Sequence, residues 1–377
     1  MKRALKGKEI CNGCGACEYV CKQKAITMLA NTEGFLYPQV DNEKCTDCGA
    51  CSKVCSKDIT KYNVNIGNAK AFQSKNDRLL FESSSGGLIP SLAIEVINNG
   101  GVFYSTEYIP NDKGAFWSRI ESTIDIFKTC GSKYFQIPMP THIIKSILDD
   151  LKDREVLFVG TPCQVGALRR VIPATLQDRL VTVDLICGGV QSPSVENKYL
   201  YFLSQLKHAT VITHKFRAKD YGWKRKYLSV IEYSDGSREL RVGARDLFAR
   251  MYASGCFLRE CCYNCEYVGR SRVGDITAGD CWGMDNSGDS CFKKGKGISL
   301  AVANTDKGKV MIESICKNAN YMKLNDSILD ENKPLNHRTK RPILRNAAYL
   351  LLNHLPISLT AMIICYKYTV KRILGKG

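Results

Sequence analysis

Two eleven-residue stretches decide how this chain is read. They are Cys11-Asn12-Gly13-Cys14-Gly15-Ala16-Cys17-Glu18-Tyr19-Val20-Cys21 and Cys45-Thr46-Asp47-Cys48-Gly49-Ala50-Cys51-Ser52-Lys53-Val54-Cys55. Both have the spacing C-x2-C-x2-C-x3-C. A loop that wraps an iron–sulfur cubane must offer three thiolates to three corners, so short spacers and small residues between the ligands are a physical requirement. In two-cluster arrangements of this kind the fourth cysteine of each run serves the other cluster. The expected ligand sets are therefore Cys11, Cys14, Cys17 with Cys55, and Cys45, Cys48, Cys51 with Cys21. The crossing ties the two halves together and couples metal binding to folding. Pairs of the form CxxC also bind zinc, but four cysteines in eleven residues, twice over, fit cubanes far better. Lys22 and Ser56 follow the fourth cysteines, where proline is common; that alters the local turn and leaves the ligand count intact.

The rest of the composition agrees with metal chemistry. The chain has 377 residues and 19 cysteines. Its first residues, Met1 to Glu9 (MKRALKGKE), lack the apolar stretch of a secretory signal. Cysteines at this density in an unexported chain read as metal ligands rather than a disulfide framework, which implies a reducing cytoplasm. The formal net charge of +17 counts no cofactor. A cubane on four thiolates brings roughly two negative charges and a flavin dinucleotide roughly two more. Three clusters and one flavin would leave about half the excess. The remaining basic surface is either simply solvated or attractive to acidic redox proteins and anionic cofactors. No basic stretch interleaved with aromatics argues for nucleic acid.

Texture divides the chain. Residues 1–60 form the two-cluster domain, of α+β ferredoxin-like type, and residues 61–78 read as a linker. Residues 79–335 alternate helix-like and strand-like segments, as an α/β domain with a mixed, partly parallel sheet does. Leu88 to Asn98 (LIPSLAIEVIN) has helical spacing. Glu155 to Gly160 (EVLFVG) reads as a buried strand, Gln164 to Val171 as a helix and Leu180 to Cys187 (LVTVDLIC) as the next strand. That βαβ unit implies parallel strands. Lys226 to Tyr233 and Arg238 to Val242, joined across Asp235-Gly236, read as a hairpin. Residues 336–377 form a basic and apolar helical tail. Asn353, His354, Pro356, Ser358 and Thr360 interrupt its apolar run, so a packed or amphipathic helix pair is expected rather than a membrane span.

Further chemistry lies in the α/β domain. The run Ser83-Ser84-Ser85-Gly86-Gly87 stands directly before a helix, where glycines and a helix start suit an anion; a serine cap before any helix looks similar. Cys163 follows one strand in Gly160-Thr161-Pro162-Cys163-Gln164, and Cys187 ends the next in Asp184-Leu185-Ile186-Cys187-Gly188-Gly189. Both fall at carboxyl ends of strands, where open α/β sheets place ligands. With Cys262 and Cys265 of a further CxxC they would make a third cluster site. Buried structural thiols, or a reactive Cys163 near a helix start, are the alternatives.

This ordered set, with GSKYFQ (Gly131 to Gln136), CYNC and GDITAGDCWG (Gly274 to Gly283), resembles the beta subunits of coenzyme F420 (deazaflavin) hydrogenases and dehydrogenases. The resemblance covers essentially residues 8–345. It implies an FAD-containing α/β domain that exchanges electrons with the clusters. Ser85, Gly86 and Gly87 would match the flavin phosphate loop. Lys133, Tyr134 and Gln136 would help hold the cofactor, and Thr161 and Pro162 would lie beside the isoalloxazine. Cys163, Cys187, Cys262 and Cys265 would hold a core [4Fe–4S] cluster. Asp280, Trp282 and Gly283 would close the pocket. Cys281 stands where phenylalanine is usual and Gly188 where histidine is usual, which bears on the substrate more than on the cofactors. Expected partners are a redox protein or a small-molecule electron acceptor, with a membrane contact through the tail as the lesser alternative and homo-oligomerisation open. A subunit without a substrate of its own is the rival to an enzyme.

Overall fold

The computed structural model describes residues 7–56, 58–64, 68–223, 228–284, 291–325 and 327–366. Its centre is an eight-stranded mixed sheet. In chain order the strands are β1 (Ala69–Ser74), β2 (Val102–Ile109), β3 (Gly114–Ile120), β4 (Val156–Gly160), β5 (Leu180–Leu185), β6 (Ile276–Asp280), β7 (Ser299–Ala303) and β8 (Ala319–Lys323). Their order across the sheet is β8-β1-β7-β6-β5-β4-β2-β3. The four inner strands β6, β5, β4 and β2 run parallel, and the flanking pairs are antiparallel. Every residue of β4 (VLFVG) is buried. A parallel strand covered on both faces carries just such an unbroken apolar run, without alternation.

Helix α1 (Leu88–Asn98) packs Leu88, Leu92, Ala93 and Val96 against the sheet. Helix α2 (Pro162–Val171) joins β4 to β5. At its start the Thr161 N–H and hydroxyl both donate to Gln164 Oε1, at 2.9 Å each. A second sheet of three antiparallel strands, in the order Arg238–Val242, Leu228–Tyr233, Val211–Lys215, lies to one side. The expected hairpin is present from Leu228 onward; Lys226 and Tyr227 lie outside the described residues.

The segment expected as a linker, 61–78, is instead woven into the body. Tyr62–Asn63 pairs with Ser271–Arg272, β1 sits between β7 and β8, and the helix Asp77–Glu82 begins there. Its sequence, Ala-Lys-Ala-Phe-Gln-Ser, hides the strand because polar Gln73 and Ser74 are buried along with Ala69, Ala71 and Phe72, so neither an apolar run nor an alternation announces it.

The N-terminal domain consists of an antiparallel pair, Ile26–Ala30 with Leu36–Val40, and the short helices Ala16–Tyr19 and Ala50–Ser56. The tail folds as two helices, α3 (Arg345–His354) and α4 (Ile357–Ile364), with residues from Lys367 outside the description. No helix among the described residues is long and apolar enough to cross a membrane. The tail acts as a clamp. Buried Arg345 binds Glu33 in the N-terminal hairpin at 2.6 and 2.7 Å and Glu260 in the α/β body at 2.9 Å. Tyr349 packs edge-on against Phe35, and Asn353 Nδ2 donates to the Thr32 carbonyl at 3.0 Å.

Candidate functional site

The first cysteine run folds as a tight loop because Gly13 and Gly15 adopt left-handed φ values of 70° and 76°. Gly13 also permits close approach: a Cβ there would lie 2.4 Å from Gln136 Nε2 and 2.8 Å from the Leu36 carbonyl. Cys11, Cys14 and Cys17 line a small cavity of about 40 Å³ together with Cys55 from the second run. The crossed set therefore converges. Burial, with the neighbouring thiols adding to it, pushes Cys17 up to about 12 and raises Cys14 as well. Bare thiolates are thus disfavoured here, and the positive charge of bound iron would favour them. Among the described residues no three cysteine, histidine or carboxylate side chains gather as ligands of a single ion would; a cubane takes one thiolate at each separated corner. In the second run Cys48 is exposed, so that loop reaches the protein surface.

The carboxyl ends of β4, β5 and β6 open into a cavity of about 330 Å³. It runs from the first-run loop (Asn12 to Cys14) past Cys163 and Cys187 to the serine–glycine loop and Asp280. Ser85, Gly87, Lys133, Tyr134, Gln136, Thr161 and Asp280 all line it. Gly86, Pro162 and Trp282 do not. Gly86 serves close packing: a Cβ would lie 2.2 Å from the Phe72 carbonyl, and its N–H donates to Ser299 Oγ at 2.9 Å. Pro162 is the buried first residue of α2, where its missing N–H costs nothing. Trp282 stacks on Trp223, with ring centroids 4.8 Å apart and planes 8° from parallel.

The loop's side chains are largely engaged inside the protein. Ser85 Oγ donates to the Ile298 carbonyl and Ser84 Oγ accepts from the Ser132 N–H, both at 2.8 Å. Gly87, at φ 81°, caps α1, whose first-turn N–H groups at Leu88 and Ile89 have no intrahelical acceptor. Those donors are the anion-binding capacity of this end. Lys133 Nζ donates to the carbonyls of Thr106 and Thr129 at 2.8 Å, and desolvation pulls its pKa down to about 8. Asp280 accepts from Arg217 at 3.1 Å.

The central cysteines also assemble. Burial raises Cys163 and pushes Cys187 up to about 11; Cys163 feels Cys187, Cys261 and Cys265 electrostatically. Cys262 is raised well above the usual thiol value by its hydrogen bond with Cys261, then by burial. Five thiols, not four, therefore share this region. Cys261, adjacent in sequence to a proposed ligand and for that reason an alternative to it, interacts with Cys262 here.

Two further residues had no sequence signal. Asp184, fully buried, accepts from Arg272 Nη2 at 2.8 Å, from the Val273 and Gly274 N–H groups at 3.0 and 2.8 Å, and from Thr277 Oγ1 at 2.8 Å. It pins the end of β5 that carries Cys187. Arg259, 1% exposed, joins the two domains: Nε donates to the Cys11 carbonyl at 3.0 Å, Nη1 to Gln136 Oε1 at 3.0 Å and Nη2 to the Leu36 carbonyl at 2.8 Å.

Comparison with known proteins gives a consistent result. Residues 10–59 match the model of the 4Fe-4S dicluster domain, and residues 153–327 match that of the C terminus of the coenzyme F420 hydrogenase/dehydrogenase beta subunit. No curated protein matches. Among solved structures, a chain of the F420-reducing [NiFe] hydrogenase complex from Methanosarcina barkeri is similar over 73% of this chain and 91% of that one. Its identity is 17% and its TM-score 0.47. By these matches the chain carries a 4Fe-4S dicluster domain at residues 10–59, and its residues 153–327 are similar to the C terminus of the coenzyme F420 hydrogenase/dehydrogenase beta subunit.

Proposed function

We propose that this protein is an iron–sulfur flavoprotein oxidoreductase that passes electrons between its ferredoxin-type clusters and FAD, and on to an organic acceptor or donor. The supporting observation is the continuous cavity that runs from the first cluster loop, past Cys163 and Cys187, to the start of α1. FAD bound there would supply two-electron exchange with an organic molecule while the clusters handle single electrons. The α1 N-terminus at Gly87 offers N–H donors to a pyrophosphate, and Lys133, Tyr134, Thr161 and Asp280 form walls for the rest of the cofactor. Cys163, Cys187 and Cys265, with Cys262 or Cys261, would hold a third cluster beside that cavity. Exposed Cys48 makes the second cluster the natural port for a redox partner.

Anaerobic purification with iron, acid-labile sulfide and flavin counted per chain tests this. About twelve iron and one FAD are expected from three cubanes and one flavin. Removal of Cys163 should then cost about four iron. About eight iron without flavin would refute the flavoenzyme and leave the dicluster domain as the redox element.

A further inference from the structure

The N-terminal and α/β domains meet at one buried cation. Arg259 is 1% exposed, yet no carboxylate among the described residues pairs with it. The other buried arginines near the redox region are paired: Arg272 with Asp184, Arg169 with Asp275, Arg345 with Glu33. An arginine stays protonated in proteins, so its charge cannot be relieved by losing a proton. A buried, unpaired charge is strongly unfavourable. The partners that Arg259 does have are carbonyls, an amide and aromatic faces, with its guanidinium carbon 4.1 Å from the centre of the Tyr37 ring. Its remaining polar neighbours are sulfurs: Nη2 lies 4.0 Å from Cys11 Sγ, and the guanidinium also acts on the Cys261 thiol. Cys11 belongs to the crossed set of the first cluster, and a cubane on four thiolates is an anion of roughly two charges.

We propose that Arg259 is the counter-cation of the first cluster, positioning its loop on the α/β body and raising its reduction potential relative to the second cluster. The inference rests on the dicluster assignment and not on the flavin. One-electron reduction adds a negative charge to the cluster without making or breaking a bond. A fixed positive charge with an N–H directed at a ligand sulfur stabilises that reduced form, in a region where burial weakens screening. In the second run Cys48 is exposed, where water screens charge more strongly. A first cluster of higher potential would draw electrons inward from the exposed second cluster toward Cys163 and the large cavity.

The test is an EPR-monitored reductive titration of the full chain, purified anaerobically and reduced with dithionite. In Arg259→Gln one of the two ferredoxin-domain steps should shift by at least tenfold in its reduction equilibrium, about 59 mV lower for a one-electron couple. The other step should stay in place, and Arg259→Lys should recover part of the shift. Gln136→Glu provides a second approach, because a carboxylate placed on Nη1 neutralises the cation without moving it; the same step should fall. Unchanged potentials in both variants at full iron content would overturn the proposal. So would equal shifts of both steps. Loss of the first cluster in both variants, with the second retained, would make Arg259 purely structural and overturn the tuning role. Fewer than about eight iron in the unaltered chain would instead refute the dicluster assignment itself.

Discussion

Replacing Asp184 with asparagine should destabilise the whole α/β body, and its hydrogen bonds show how far. Oδ1 accepts from Arg272 Nε at 3.1 Å, Arg272 Nη2 at 2.8 Å and Thr277 Oγ1 at 2.8 Å, while Oδ2 accepts from the Val273 and Gly274 N–H groups. All five partners are donors, and the site is closed to water. Asparagine offers one acceptor oxygen. In either orientation its NH2 group faces N–H donors, either those of the backbone or those of the guanidinium. With the NH2 toward the guanidinium, Arg272 keeps only the carbonyls of Tyr267 and Leu185, at 2.8 and 3.1 Å, and in either orientation its charge loses its counter-ion. Removing one partner of a buried pair costs about 3–5 kcal/mol. At about 2–4 °C per kcal/mol for a body of this size, the melting temperature should fall by roughly 6–20 °C. Far-UV circular dichroism melts of anaerobically purified protein read this directly. Pairing the change with Arg272→Met should recover part of the loss, since the stranded charge is then gone. A drop smaller than about 2 °C for Asp184→Asn alone would refute the account of the buried pair.

A pH dependence follows from Lys219, which is 7% exposed and donates to the carbonyls of Leu80, Ser85 and Lys296. Burial pulls its pKa down to about 7, against the pull of Asp280 and with that of Arg217 and Lys296. Between pH 7 and the unfolded lysine value of about 10.4, the unfolded chain holds the extra proton, so stability contributed at this residue rises with pH across that window. Denaturation midpoints of the natural chain and Lys219→Met, compared from pH 6 to 10, should rise more steeply in the former, since Lys133 contributes to both; parallel curves would refute it. Gly86→Ala tests the loop differently. Its Cβ would meet two backbone groups, Phe72 O at 2.2 Å and Ser299 N at 2.6 Å. Neither can yield without moving β1 or β7, so soluble yield and melting temperature should both fall sharply; a normal melt would show that the strands part easily.

Much of the redox chemistry was legible in one dimension. A cubane loop uses ligands within a few residues of each other, so its pattern is written locally, and Cys11 to Cys21 and Cys45 to Cys55 carry it in full. The buried strand at Val156–Gly160, the helix Leu88–Asn98 and the crossing βαβ unit were equally local, because apolar runs and spacing reflect the burial of nearby residues. Tertiary structure alone decided the rest. It turned the supposed linker into a strand between β7 and β8, since a sheet position depends on neighbours more than 200 residues away. It separated Gly86, Pro162 and Trp282, which do not line the cavity, from Thr161 and Asp280, which do; adjacent residues share a motif but point in different directions. It brought Arg259 beside Cys11, 248 residues away. No spacing announces such pairs: a long-range contact is set by packing of the whole chain, and a lone arginine gains its meaning only from the anion it is buried against.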